Sequence, residues 1–136
     1  MKSEKPTETI LIVDDEPFIL DLACSMLKRN GYHVLCASSA QQALDLIQTW
    51  PDLKIDLALL DIVMPGMDGP ELALHLTEMR PNVPVLFMSG YAENPELRPE
   101  RFRKVMFLAK PFTSMALAAK VREALDSPRS DTTAST

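Results

Sequence analysis

The stretch Leu57–Leu72, LALLDIVMPGMDGPEL, joins an apolar run to a turn rich in Met, Pro and Gly. The run ends on a single carboxylate, Asp61. Burying an unpaired charge is costly, on the order of several kcal/mol or more. Asp61 therefore either lies at a solvent-exposed rim without a special role or takes part in chemistry there. The polar residues elsewhere in the chain decide between these two interpretations.

Five short apolar runs along the chain predict β-strands. They are TILIV (9–13), HVLCA (33–37), DLALLD (56–61), VPVLFMS (83–89) and VMFLAK (105–110). All five are almost continuously apolar, which is typical of parallel strands that are covered on both faces. We therefore expect a sheet that is fully enclosed between two layers of helices.

The segments between these runs have the period of helices with one buried face. Apolar residues recur at steps of four at Phe18, Leu22 and Met26, at Leu72 and Leu76, and at Leu117, Val121 and Leu125. Ser39 with Gln42 and Asp68 with Glu71 predict helix starts that are closed by capping boxes. The alternation of strands and helices predicts an α/β fold with a doubly wound five-stranded parallel sheet. We adopt the strand order 2-1-3-4-5, which would place the ends of strands one and three side by side.

The length and composition predict one domain. A chain of 136 residues that is 46% hydrophobic suffices for one sizeable core. We expect a flexible N-terminus over 1–7, the folded domain over 8–126 and a disordered tail over 127–136, which has almost no apolar residue. Pro95 and Pro99 lie between the fourth and fifth strands and predict a short or irregular fourth helix.

The charge and the cysteines exclude several classes of protein. A formal net charge of −5 argues against direct binding to DNA or to anionic lipid. Since the chain has neither a secretory signal nor an apolar run of roughly 20 residues, we expect a cytoplasmic protein without a membrane segment. Cys24 and Cys36 match no metal or redox spacing and are interpreted as buried free thiols. Trp50 is expected to close the second helix against the core.

Polar residues stand at the carboxyl ends of four of the five predicted strands, where open α/β sheets place their sites. They are Asp14, Asp15 and Glu16 after strand one, Asp61 at the end of strand three, Ser89 after strand four and Lys110 after strand five. Like charges about 4 Å apart repel by about 4 kcal/mol at an effective dielectric constant of about 20. Clustered carboxylates therefore require a cation, and a hard ion shared with a phosphate, such as Mg²⁺, suits them.

These residues lie in motifs that resemble the receiver domain of two-component response regulators. The motifs are LIVDDEP with Asp14 and Asp15, LLDIVMPGMDG with Asp61, VLFMSGYA with Ser89, and LAKPF with Lys110. Each motif alone is a weak signal, but four in this order at four strand ends form a specific one. The resemblance covers about residues 8 to 126 and is nearest to stand-alone receivers or to receivers associated with hybrid kinases.

The resemblance implies a phosphoacceptor and a metal site. Asp61 would accept a phosphoryl group from a phosphohistidine. Asp15 and Asp61 would bind Mg²⁺, or Mn²⁺ in its place, together with the backbone carbonyl of Val63. Asp14 would act through a bound water.

The resemblance also implies switch residues. Lys110 would pair first with the carboxylate of Asp61 and then with the phosphoryl oxygens. The peptide bond between Lys110 and Pro111 would be cis. Ser89 would move to hydrogen-bond the phosphoryl group, and Phe107 would turn inward behind it. The water that removes the phosphoryl group would be flanked by Val63 and Tyr91, and because Val63 is apolar we expect a slow loss of phosphate.

A protein of this kind is a signalling switch and not a turnover enzyme. Its expected partners are a sensor histidine kinase or a histidine phosphotransfer protein, and an unidentified downstream protein. Three alternatives remain to be weighed. A phosphatase of the haloacid dehalogenase type requires a D-x-D motif, whereas Asp14 and Asp15 are adjacent. A flavodoxin-type carrier requires a phosphate loop where this chain has three acids. The third is a receiver-like interaction module that is never phosphorylated.

Overall fold

The computed structural model describes residues 8–90 and 106–126. Its elements are β1 (Thr9–Val13), α1 (Pro17–Arg29), β2 (His33–Ala37), α2 (Ala40–Thr49), β3 (Leu57–Asp61), α3 (Gly69–Met79), β4 (Val85–Ser89), β5 (Met106–Ala109) and α4 (Ser114–Asp126). The five strands form one parallel sheet in the order β2-β1-β3-β4-β5. The predicted fold class and strand order are confirmed.

The helices cover both faces of this sheet. One core cluster contains the buried residues of α2 and α3, and the other contains those of α1 and α4. The strands alternate their side chains between the two clusters, so that Leu11 enters one and Ile10 the other. This arrangement is the doubly wound architecture.

The prediction that every strand is covered on both faces is wrong for β2. All five residues of β3 are buried, but His33 and Cys36 of β2 are exposed. β2 lies at the edge of the sheet and has a neighbouring strand on one side only. Its apolar sequence therefore overstates its burial.

The predicted buried stripe of α1 is also wrong. Phe18 is 74% exposed, and the buried residues of this helix are Leu20, Ala23, Cys24 and Leu27. A helix turns through 3.6 residues, so positions with spacings of three, one and three stay on one face, whereas strict steps of four drift around the helix. The predicted buried faces of α3 and α4 are largely confirmed. Their buried residues include Leu72, Leu76, Leu117 and Val121.

Side-chain N-caps begin α2 and α3 as expected, but the reciprocal bond of the predicted capping box goes to a different residue in α2. The Ser39 hydroxyl accepts a hydrogen bond from the Gln42 N–H at 3.0 Å, and Asp68 accepts one from the Glu71 N–H at 3.0 Å. The Gln42 side chain accepts from the N–H of Ser38 at 2.7 Å. Residue types around these turns thus fix where each helix begins.

Two further expectations are corrected. Cys24 of α1 and Cys36 of β2 form a disulfide, with their Cα atoms 6.8 Å apart, so they are not free thiols. The packing of α1 on β2 brings them together.

The prediction that Trp50 closes the second helix against the core is wrong. Trp50 is 61% exposed, and Ile55, which is 7% exposed, enters the core instead.

Several predictions lie outside the described residues. These are the flexible N-terminus over 1–7, the irregular fourth helix between 91 and 104, and the disordered tail over 127–136. Among the helices that the structure does describe, none has the length and apolar character needed to cross a membrane.

Candidate functional site

The site lies at the carboxyl edge of the sheet, where β1, β3, β4 and β5 end. Val13 pairs with Leu60, so Asp14 follows β1 beside Asp61, the last residue of β3. Ser89 is the last residue of β4, and Lys110 follows β5 directly. Parallel pairing therefore brings side chains from four strands to one edge.

Backbone hydrogen bonds continue the sheet for one residue beyond these strands. The N–H of Asp14 donates to the carbonyl of Ala37 at 3.2 Å, and the N–H of Lys110 donates to the carbonyl of Ser89 at 3.1 Å. The N–H of Ile62, after Asp61, donates to Met88 at 3.2 Å. The sheet itself thus holds Asp14, Asp61 and Lys110 in place.

Lys110 is the centre of the charged cluster. Its Nζ lies 3.2 Å from Asp14 Oδ2, 3.2 Å from Asp61 Oδ1 and 3.3 Å from Glu16 Oε1. The side chain of Asp14 is fully buried and that of Asp61 is 8% exposed, whereas that of Glu16 is 62% exposed. One ammonium group is therefore shared by three carboxylates.

The ionisation of Asp61 and Lys110 reflects this crowding. Burial, followed by the negative charge of Asp14, raises the pKa of Asp61 to about 6, against the opposing effect of Lys110. Burial acts to lower the pKa of Lys110, but the charges of Asp61 and Asp14 outweigh it and raise that pKa above its ordinary value. Lys110 is therefore charged at neutral pH, and Asp61 is a carboxylate whose charge is poorly tolerated.

Asp14, Asp15 and Asp61 can hold a divalent cation. Each offers one carboxylate oxygen, and the three oxygens lie within 4.8 Å of one another. Asp14 Oδ1 accepts a hydrogen bond from the N–H of Glu16 at 2.9 Å. Asp14 Oδ2 is buried and, apart from its ion pair with Lys110, has no hydrogen-bond partner among the described residues. A buried carboxylate oxygen without a hydrogen-bond donor, beside two other carboxylates, is a suitable ligand site for a hard cation such as Mg²⁺.

The turn after β3 completes the site. Val63 is 69% exposed, and its carbonyl belongs to the loop between Asp61 and the cap residue Asp68. The N–H of Gly69 donates to the carbonyl of Ile62 at 2.9 Å. A Cβ atom at Gly69 would collide with the carbonyl oxygen of Asp61. Only glycine allows α3 to begin this close to the end of β3.

A cavity of about 360 Å³ opens over these groups. Its polar lining consists of Asp15, Glu16, Asp61, Ser89 and Lys110, with Val63 at one side. It is therefore a recess that places Asp61 and Lys110 in reach of a small anionic group.

Ser89 and Phe107 lie beneath the surface of this edge. Ser89 is 4% exposed and lines the cavity, and Phe107 is 5% exposed. The Phe107 ring packs against Phe87 with centroids 5.8 Å apart. The peptide bond between Lys110 and Pro111 is cis.

The structure thus brings together six of the residues singled out from the sequence, which are Asp14, Asp15, Asp61, Val63, Ser89 and Lys110. Phe107 is buried in β5, three residues before Lys110. Tyr91 is outside the described residues. Sequence reasoning gave no role to Gly69 or to the contact between Glu16 and Lys110. The position of Gly69, directly before a proline at the start of a helix, was the sequence signal that could have indicated its role. No sequence signal indicates the contact between Glu16 and Lys110.

Comparison with known proteins identifies the family of the chain. Residues 10–122 match the family described as the response regulator receiver domain. The chain is 36% identical over 131 residues to the sensor kinase CckA of Brucella abortus, covering 92% of this chain and 14% of that protein. It is 34% identical over 119 residues to the response regulator receiver protein CpdR of Brucella abortus, covering 85% of this chain and 95% of CpdR.

A solved structure shows the same likeness. A CheY-like response regulator receiver domain protein from Methanospirillum hungatei matches with a TM-score of 0.73 and 33% identity, covering 89% of this chain and 95% of that one. The chain spans about half the length of several other curated relatives. Receiver domains act in two-component systems with histidine kinases or phosphotransfer proteins, as signalling switches. With its acidic edge, its lysine and its parallel sheet, the chain belongs to the response regulator receiver family.

Proposed function

We propose that Asp61 accepts a phosphoryl group from a phosphohistidine of a sensor histidine kinase or a histidine phosphotransfer protein. The observation that carries this proposal is the buried Asp61 carboxylate at the base of the cavity, 3.2 Å from the Lys110 ammonium and beside two further carboxylates. A carboxylate can act as a nucleophile, and its neighbours can stabilise the group it receives.

The transfer is a displacement at phosphorus. An oxygen of ionised Asp61 forms the new P–O bond while the P–N bond of the donor breaks, and the electron pair leaves with the imidazole nitrogen. Because the pKa of Asp61 is about 6, its carboxylate is mostly ionised at neutral pH. Lys110 donates N–H groups to the phosphoryl oxygens and offsets their charge.

The acidic cluster would hold the cofactor. Asp15, Asp61 and the carbonyl of Val63 would bind Mg²⁺, or Mn²⁺, and Asp14 would act through a water. When bound, the ion supplies charge neutralisation for the transferring group. The buried Oδ2 of Asp14, which lacks a hydrogen-bond partner among the described residues, supports this assignment.

Phosphorylation changes the balance between two conformations of the domain. Ser89 lines the cavity and would donate its hydroxyl to a phosphoryl oxygen, and Phe107 would pack inward behind it. Moving such an equilibrium from 1:99 to 99:1 requires about 5.5 kcal/mol. The new contacts at Ser89 and Lys110 supply this difference, and a downstream protein reads the result.

The phosphoryl group would be lost slowly. Val63 and Tyr91 are proposed to flank the attacking water. The side chain of Val63 is exposed at the cavity and is apolar, so it offers no group to orient a water molecule.

We also propose, from the composition, that the protein is cytoplasmic and does not bind DNA directly.

Phosphotransfer from a protein donor tests this function. A sensor kinase that has phosphorylated its own histidine is mixed with the chain and Mg²⁺, and transfer of the label is followed. We expect label on the wild type and none on Asp61→Asn. If a panel of kinases and small phosphodonors labels neither the wild type nor Asp61→Asn, the chain is an interaction module with the receiver fold.

A further inference from the structure

We propose that Glu16 is a positioning residue that competes with the phosphoryl group for Lys110 and so limits how strongly the phosphorylated state is favoured. This inference rests on the proposed phosphorylation of Asp61. It assigns a role to the one carboxylate, among those that contact Lys110 in the described residues, that neither accepts the phosphoryl group nor belongs to the metal-binding set.

The position of Glu16 in the helix makes its contact unusual. Glu16 is the N-cap residue of α1, but its side chain makes no capping hydrogen bond to that helix. It accepts a hydrogen bond from Lys110 Nζ at 3.3 Å instead, across the edge of the sheet. Ser, Thr, Asp and Asn are the residues that cap a helix with a side-chain hydrogen bond, and Glu is not among them. The Glu16 side chain is therefore not bonded to its own helix and contacts Lys110 instead.

The backbone of Glu16 is fixed at both ends. Its N–H donates to Asp14 Oδ1 at 2.9 Å, and its carbonyl accepts from the N–H of Leu20 at 3.0 Å. The Glu16 side chain also lines the cavity beside Asp61 and Ser89. Its carboxylate is therefore held next to the place that a phosphoryl group on Asp61 would occupy.

Lys110 cannot serve every acceptor at once. Its ammonium has three N–H donors, and three carboxylates already surround it. When Asp61 carries a phosphoryl group, the N–H that points to Asp61 turns towards the new oxygens. A second N–H reaches those oxygens only if Asp14 or Glu16 gives up its contact with Lys110. Asp14 is fully buried, so losing Lys110 would leave its charge without a counter-ion, whereas Glu16, at 62% exposure, is solvated by water. A second contact between Lys110 and the phosphoryl group is therefore made at the expense of the Glu16 contact.

Glu16 opposes phosphorylation in two ways that have the same sign. It competes for the N–H donors of Lys110, and its negative charge repels the incoming phosphoryl group. Exposed ion pairs are weak, so the effect of removing this charge is roughly two- to fivefold. Because Glu16 is exposed, the effect shrinks as salt concentration rises.

The test compares two variants with the same change in net charge. Glu16→Gln keeps the size of the side chain and removes its charge, and Asp21→Asn makes the same change on an exposed position of α1. Beryllofluoride with Mg²⁺ is the probe, because it mimics a phosphoryl group on a carboxylate. Its affinity is measured by calorimetry at low and high salt, and the rate of phosphorylation by acetyl phosphate is measured in parallel.

We expect Glu16→Gln to bind beryllofluoride roughly two- to fivefold more tightly than the wild type at low salt, and to be phosphorylated faster. Asp21→Asn is expected to match the wild type. A residue with only a structural role would weaken binding when changed, so the sign separates the two roles. Glu16→Ser, which introduces a good N-cap residue, should behave as Glu16→Gln does, and keeps the test valid if Gln disturbs the helix.

The outcomes separate this inference from the proposed function. If the wild type binds beryllofluoride and takes up phosphate while Glu16→Gln matches Asp21→Asn or binds more weakly, the role of Glu16 is wrong and the function of Asp61 stands. If the wild type itself neither binds the probe nor becomes phosphorylated, both proposals fail.

Discussion

Lys110 Nζ lies 3.2 Å from Asp61 Oδ1, and the same ammonium lies 3.2 Å from Asp14 Oδ2. One cation thus holds two buried carboxylates from neighbouring strands at the edge of the sheet. The chemistry and the stability of this edge are linked through that lysine.

Removing the charge of Lys110 is expected to destabilise the metal-free protein. Lys110→Met leaves Asp14 and Asp61 buried without a counter-charge, and we expect a loss of about 3 kcal/mol in the free energy of unfolding at pH 7. Urea denaturation measures this loss. Lys120→Met, which removes a partly exposed lysine of α4 paired with Glu123, is the control and should change stability by less than about 0.5 kcal/mol. Equal losses in both variants would contradict the account.

The pKa of Asp61 predicts how stability depends on pH. The pKa is raised to about 6 in the folded protein, whereas an unfolded Asp titrates near about 3.9. The folded state therefore favours the protonated form, and the ionised carboxylate weakens the fold above pH 6. As pH falls from about 7 to about 4, this penalty disappears and the contribution of Asp61 to stability rises.

Asp61→Asn isolates that contribution. In the absence of metal, we expect this variant to be about 2 kcal/mol more stable than the wild type at pH 7, and the difference to shrink towards pH 5. Denaturation of both proteins between pH 5 and 8 checks the prediction. This range avoids Glu8, whose pKa the hydrogen bond from Arg122 lowers. A difference that is independent of pH would show that the raised pKa is not its cause.

Magnesium is expected to stabilise the folded state through the acidic cluster. A ligand at about 100 times its dissociation constant adds about 2.7 kcal/mol. Thermal unfolding should therefore shift upwards with Mg²⁺ in the wild type, and the shift should be lost in Asp15→Asn and Asp61→Asn. Asp52→Asn removes an exposed acid outside the cluster and should keep the full shift. Equal shifts in all four proteins would place the binding elsewhere.

Gly69 is expected to control the position of Asp61. In Gly69→Ala the new methyl group meets the Asp61 carbonyl, and it would lie only 3.0 Å from Ile62 Cα. We expect a loss of about 1 to 3 kcal/mol in stability and slower phosphorylation, because α3 must move away from β3. Gly90→Ala is the matched control, since a Cβ atom there meets nothing within 4 Å in the part of the chain that the structure describes. Similar behaviour of the two variants would contradict the tight packing at Gly69.

Much of the fold and the position of the site could be predicted from the sequence. Parallel strands end at a common edge, so the residues after β1 and β3 had to lie side by side, as Asp14 and Asp61 do. The runs that became strands are short, apolar and separated by helical segments, and this pattern predicts a parallel, doubly wound sheet. The pattern alone does not determine the order of the strands. The residue roles within the site remain predictions.

What the sequence did not reveal depends on side-chain direction and on which elements face each other. Phe18 matches the apolar spacing along α1 but is 74% exposed, because the buried face of this helix is formed by Leu20, Ala23, Cys24 and Leu27. Cys24 and Cys36 meet only because α1 packs on β2. The contact of Glu16 with Lys110 joins residues from opposite ends of the chain, and no local pattern records it.

The mass of the intact protein tests the central claim most directly. The chain is incubated with acetyl phosphate and Mg²⁺, beside Asp61→Asn and beside a sample with chelator in place of Mg²⁺. We predict that the wild type with Mg²⁺ gains the mass of one phosphoryl group, and that the variant and the chelated sample gain none. No gain in the wild type, or an equal gain in Asp61→Asn, would contradict the assignment of Asp61 as the phosphoacceptor.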